Sequence, residues 1–291
     1  MAGEMLALFA ALSYGGAGVT IMQGRATARD DNGVALSVAM TAALSFALWS
    51  LWGNVPARAI FDAPATIGLF ALAGVFSIFL GRVTMYRATE SIGAVRAALL
   101  RRLTPVFALP LAMIALSERP GAQTIFGGAM IVAGILIYSP KQAGDRAEAA
   151  VAGTALGIAS AAFYAAAYTL RAMGMRSLPD AAFGTLVGAI AGGAALALAA
   201  GLRGQITGRR PDLGPWHWVT AAFLSAGQVL QFFALKSATV TAVACLGTLE
   251  VFISAALLAC IGDNRRGSFN RLALSGLAAF AGTLLLFSGR V

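Results

Sequence analysis

The sequence predicts an all-α integral membrane protein with about ten transmembrane helices, arranged as two inverted five-helix repeats. Three observations predict it. Apolar runs of roughly 20 residues, long enough to cross a bilayer, recur along the whole chain. Only 11% of residues are charged and 59% are hydrophobic, whereas a soluble chain carries about 25% charged residues. Lastly, the chain repeats itself at about half its length.

The apolar runs fall at 3–24, 34–55, 64–88, 92–116, 121–139, 151–174, 180–201, 215–236, 239–261 and 268–288. Backbone polar groups in hydrocarbon must bond within their own segment, so each run reads as a helix. The breaks carry Gly, Pro, Arg and Asp, as in RATARDDNG at 25–33, SERPG at 117–121, RSLPD at 176–180 and GDNRRGS at 262–268. Two joins, at 89–93 and 236–239, hold few polar residues, so a count of nine spans stays open. No break is long enough to hold a soluble domain. The alternating pattern of an outer-membrane barrel is absent.

The repeat is visible in three places. GRVTMYRA at 81–88 matches GQVLQFFA at 227–234, LTPVF at 103–107 matches LEVF at 249–252, and SERP at 117–120 matches GDNR at 262–265. Tyr14 falls opposite Tyr164 in the same alignment. The expected halves are 1–140 and 141–291. With an odd number of spans per half, the second copy lies upside down in the membrane. Such inverted repeats are a carrier signature, with the substrate site near midplane between the halves.

The pattern L-x-P-V-F, an acidic residue about a dozen positions on, then a Gly-rich span resembles the EamA repeat of the drug/metabolite transporter superfamily. It reads LTPVFALPLAMIALSE before GGAMIVAGILIY at 127–138, and LEVFISAALLACIGD before GLAAFAGTLLLF at 276–287. The second copy has no counterpart of Pro105. Within that superfamily the chain looks most like the bacterial YddG-type exporters of aromatic amino acids. The resemblance implies a ten-helix secondary carrier of the bacterial inner membrane that exports small metabolites such as aromatic or apolar amino acids. Drugs and other metabolites carried by the same superfamily are the alternative. The implied partners are the small-molecule substrate and the lipid bilayer, with the monomer as the working unit.

Charged groups inside a bilayer are costly and face a cavity or a partner. Glu250 is the acidic residue that lies well inside a span. It reads as a site for a substrate amine or proton, or as half of an ion pair with an arginine of the fourth span. Arg101 and Arg102 lie about nine residues into that span. A guanidinium there can hold a carboxylate through a bidentate fork. Successive helical residues diverge by about 100°, so Arg101 and Arg102 do not serve one site. Arg82, Arg87 and Arg96 lie nearer span ends, where snorkelling accounts for them.

Tyr164, Tyr168 and Arg171 share one helix face at i, i+4, i+7. With Tyr14 in the matching span they can line a cavity for an aromatic group, or pack helices. Gln228, Gln231 and Tyr86 are further candidate lining groups, for which interhelical bonding is the competing account. Pro105 and Pro110 lie deep in the fourth span as candidate hinges, or as packing bends. Gly184, Gly188 and Gly192 form a small-residue stripe suited to close helix contact inside the molecule.

Several classes are disfavoured. No Walker-like phosphate loop is present, so ATP coupling within this chain is not expected. One acid within the spans does not make the paired machinery of a membrane enzyme, and a charged filter ring for a channel is missing. One histidine, His217, and two cysteines suggest no metal and no cofactor. Cys245 and Cys260 stand roughly 22 Å apart on one helix, too far to pair, and both read as core thiols. The net charge of +9 sits in loops that suit anionic headgroups rather than nucleic acid. Loop Lys and Arg are denser on the side opposite the termini, which alone places both termini outside the cytoplasm; the resemblance implies the reverse.

Overall fold

The chain is described by a computed structural model covering residues 2–29, 31–101, 103–138, 147–202 and 212–260, with isolated helical pairs at 277–278, 281–282 and 284–285. The described regular structure is helical throughout. Helices α1 (Ala2–Arg25), α2 (Val34–Trp52) and α3 (Pro64–Ile92) open the chain. Then follow α4 (Ala94–Arg101), α5 (Thr104–Leu116) and α6 (Ala122–Tyr138). The second half holds α7 (Ala147–Ser177), α8 (Ala181–Leu202), α9 (Pro215–Ser237), α10 (Val240–Gly247) and α11 (Glu250–Cys260).

Six of these, α1, α2, α3, α7, α8 and α9, are long and apolar enough to cross a membrane. The expected fourth and ninth spans are each broken into two short helices, α4–α5 and α10–α11. The expected tenth span, Arg102 and the loop arginines from 203 to 210 lie largely or wholly outside the described residues.

Both breaks share one cause. Leu103 N–H bonds back to the Leu100 carbonyl, and Thr248 and Leu249 N–H bond back to Cys245 and Leu246, all three residues earlier. Such bonds tighten the last turn of a helix and let it stop. A threonine hydroxyl reinforces each turn: Thr104 Oγ1 donates to the Arg101 carbonyl and Thr248 Oγ1 to that of Cys245, each at 2.6 Å. Pro105 sits in the first turn of α5, where its missing N–H costs nothing, while Pro110 interrupts α5 itself.

The packing places α1 along α9 and α7 along α3, with α2 and α8 crossing outside them. The glycine stripe of α8 faces inward. A Cβ at Gly188 or Gly192 would meet Gly74 of α3, and one at Gly184 would meet Phe70 and Phe232. At this crossing α3 widens into a π-helical segment, Val75–Gly81. The Gly81 carbonyl accepts from Ser160 Oγ on α7 at 3.0 Å, so a neighbouring helix satisfies the irregular backbone.

Acidic groups tie the helix ends together. Asp180 accepts from Phe183 N–H at the start of α8 and from Asn54 and Val55 N–H after α2. Asp31 accepts from Gly33 and Ala35 N–H at the start of α2 and from Asp212 N–H before α9. One sequence expectation changes here. Cys245 is buried, but Cys260 is exposed rather than a core thiol. His217 is buried and its Nδ1 accepts from Gly214 N–H at 3.0 Å, so it caps α9.

Candidate functional site

The centre of the bundle holds a polar network built by α1, α3, α4, α7, α9 and α11. Its pivot is an ion pair between Arg101, the last residue of α4, and Glu250, the first of α11, at 3.1 Å (Nη1 to Oε1). Their side chains are 9% and 6% exposed. A pair so far from water repays its desolvation only with close geometry and added bonds. Arg101 has such additions: its guanidinium lies over the rings of Tyr164 at 4.7 Å and Tyr14 at 5.4 Å, and Nη1 also meets Met85 Sδ at 3.1 Å. Cation–ring contacts are strongest when desolvated, reaching about 2 kcal/mol.

Tyr14 and Tyr164 stand edge to face, and Tyr164 and Tyr168 are tilted. Tyr14 and Tyr164 have ring centroids 6.4 Å apart, and Tyr164 and Tyr168 6.3 Å apart. These residues come from facing positions of α1 and α7, and the pair opposed in the sequence repeat is the pair in contact. Tyr14 OH donates to Gln228 Oε1 at 3.2 Å, and Gln231 Nε2 donates to Tyr168 OH at 2.5 Å. Arg171 Nη1 donates to Gln231 Oε1 at 3.0 Å and Nη2 to Ser77 Oγ at 2.5 Å. The Arg171 guanidinium also lies 4.5 Å from the Phe232 ring centroid.

A small enclosed space of about 10 Å³ lies beside the ion pair, room for about one water. Its lining includes Tyr14, Arg101, Thr104, Tyr168, Gln231, Gly247, Thr248 and Glu250. Both broken-helix junctions therefore reach it. Nothing the size of an amino acid fits there in this conformation.

Of the residues singled out in the sequence, Tyr14, Arg101, Tyr168, Gln231 and Glu250 line that space. Tyr164 stacks beneath Arg101, and Gln228 reaches the network through Tyr14 and Ser77. Tyr86 is buried in an apolar cluster with Tyr14, Met85 and Leu224 instead. Pro105 and Pro110 lie on α5, leading away from the junction.

Arg82 is a correction. Expected to snorkel, it is 1% exposed, and it donates to Ser37 Oγ at 3.1 Å and Thr41 Oγ1 at 3.3 Å on α2. A signal for this was present: Ser37, Thr41 and Ser45 place small hydroxyls at i, i+4, i+8 on one apolar helix, and all three are buried. Ser77, Thr104 and Thr248 were also missed. Ser77 is a lone small polar residue in an apolar run, while Thr104 and Thr248 stand within three residues of Arg101 and Glu250.

Comparison with known proteins gives the chemistry a context. None of the curated proteins matches the chain. A protein of known crystal structure superposes with a TM-score of 0.74 over 97% of this chain and 95% of its own, at 16% identity. That likeness concerns the fold. Residues 1–139 match the EamA-like transporter family. Over residues 1–139 the chain is therefore similar to the EamA-like transporter family.

Proposed function

We propose that the whole chain is a secondary carrier that exports small carboxylate-bearing metabolites, amino acids with aromatic or apolar side chains among them. In this reading two inverted five-span halves, 1–140 and 141–291, rock about a shared midplane site. The observation that carries it is the buried Arg101–Glu250 pair, which joins the two halves where a broken span of each comes to its junction.

An internal ion pair of this kind has the charges of a zwitterion. A substrate carboxylate can take the place of Glu250 on Arg101, and a substrate ammonium the place of Arg101 on Glu250. The exchange conserves charge pairing, so no group is left desolvated and alone while the substrate enters. Tyr14, Tyr164 and Tyr168 offer ring faces and edges to a side chain, with Gln228 and Gln231 orienting the Tyr14 and Tyr168 hydroxyls. Tyr86 would shape the wall behind them. Short helices that end at midplane leave backbone groups for a ligand to reach, and Pro105 and Pro110 give α5 a place to bend.

The test is counterflow of labelled L-phenylalanine in proteoliposomes containing the purified protein. Saturable exchange is expected, and Arg101→Ala or Glu250→Gln should each reduce it at least tenfold. Normal exchange in both variants would remove this site assignment. Absence of saturable exchange across a broad panel of amino acids and other carboxylates would remove the carrier reading.

A further inference from the structure

The central network holds more positive charge than its carboxylates can balance. Arg101, Arg171 and Arg82 are 9%, 0% and 1% exposed. Glu250 neutralises the first. Arg171 and Arg82 bond only to neutral oxygens, those of Gln231, Ser77, Ser37 and Thr41. Among the described residues no carboxylate lies within 4.0 Å of either guanidinium. In both, Nε has no hydrogen-bond partner. The other buried acids, Glu4, Asp180 and Asp212, sit at helix ends rather than in the network.

These two cations are linked. Arg171 holds Ser77, Ser77 is bonded by Gln228, and Arg82 holds Thr41, which pairs with Ser225 one turn before Gln228 on α9. Ser77 lies in the π-helical segment that ends where Arg82 begins the next turn. Hydroxyl and amide dipoles lower the cost of such charges, as does the ring of Phe232 beneath Arg171, but they do not cancel them. An arginine cannot escape by losing its proton. A fixed excess of cations in a closed apolar interior is compensated when an anion arrives.

We propose that the site takes a small organic anion of net negative charge, one anionic group on Arg101 and further negative charge held by Arg171 and Arg82. This rests on the carrier reading above and narrows its substrate class. A zwitterion would satisfy Arg101 and Glu250 and leave the remaining cations as they are. A dianion balances the two charges that Glu250 leaves uncompensated, and a cation would be repelled by the pair that has no acid.

Three probes that share a phenyl ring and differ in charge separate these cases: the dianion 2-phenylsuccinate, L-phenylalanine and 2-phenylethylamine. Binding to detergent-purified protein is read by calorimetry and by the rise in Tm. The expected order of affinity is anion, zwitterion, amine, with at least tenfold between first and last. Arg171→Gln should cut 2-phenylsuccinate binding at least tenfold and tighten binding of the amine. Arg171→Lys, which keeps the charge, should keep the order, as a merely structural hydrogen bond would not require. Arg82→Gln serves where Arg171→Gln fails to fold. Equal or tighter binding of the amine by the wild-type protein overturns the inference, as does an unchanged affinity for 2-phenylsuccinate in a folded Gln variant. If L-phenylalanine counterflow is saturable while the charge order is flat, the inference alone falls. Failure of every probe to bind or exchange removes both.

Discussion

Replacing Glu250 by glutamine should pull the closed conformation apart. The pair spans 3.1 Å, so its Coulomb attraction is about 5 kcal/mol at an effective dielectric of about 20. Removing one partner of a buried pair costs about 3–5 kcal/mol, because the other charge stays desolvated. Gln keeps one oxygen able to accept from Arg101, which argues for the lower end. At about 1.4 kcal/mol per factor of ten, 3 kcal/mol shifts the closed-to-open ratio roughly 100-fold. The cavity beside the pair holds only about 10 Å³ and is lined by Ala244, which is 3% exposed. A thiol placed there reports opening. In a Cys245→Ala, Cys260→Ser background, Ala244→Cys should react slowly with a polar methanethiosulfonate reagent in detergent. Adding Glu250→Gln should raise that rate by one to two orders of magnitude, since labelling follows the open population when opening and closing are fast. An unchanged rate in a folded double variant would refute the idea that this pair holds the halves closed.

Other substitutions test single contacts. Tyr164 OH has no hydrogen-bond partner, so Tyr164→Phe should leave Tm within a degree or two, whereas Tyr168→Phe strands the Gln231 amide and should cost about 1–3 kcal/mol, read by thermal unfolding. Gly74→Ala would drive a Cβ into the Gly188 backbone and should sharply lower Tm and folded yield. Gly68→Ala meets nothing within 4 Å and should be neutral or slightly stabilising. Asp180→Ala removes the cap of α8 and the acceptor for Asn54 and Val55 N–H. It should cost about 0.5–2 kcal/mol from the cap alone, and a Tm equal to wild type would refute that role.

The long helices were legible because chemistry punctuates them. The run expected at 3–24 is Ala2–Arg25, and that at 215–236 is Pro215–Ser237; Pro, Gly, Asp and Arg end such runs wherever lipid is the solvent. Arg101, Glu250, Tyr14 and Tyr168 were legible for the same reason, as polar groups that an apolar run must account for. Arg82 was not. Its distance from the apparent span end suggested a route to the headgroups, but depth depends on how α3 packs on α2 and α7, and on the π-helical turn beneath it. Tertiary packing decides those, and no local pattern in α3 carries them.

The break in the expected ninth span shows a rule applied to the wrong residue. Proline marks helix bends, so a span without one reads as continuous. Yet α10 and α11 separate at Thr248–Leu249 with no proline near, and α4 and α5 separate before Pro105 is reached. What the two junctions share is a threonine hydroxyl returning to the carbonyl three residues earlier. The same bond occurs at Thr20 inside unbroken α1, so at the junctions it reinforces a turn that the backbone bonds to the third residue back have already tightened. Pro105 then only starts α5, where a fixed φ suits the first turn. Each junction also carries one member of the ion pair, Arg101 closing α4 and Glu250 opening α11. A carboxylate in a helix's first turn is favoured by the helix dipole, so the same break that interrupts the ninth span also supplies a reason for an acid to sit there. Helix interruption and buried charge thus meet at each junction.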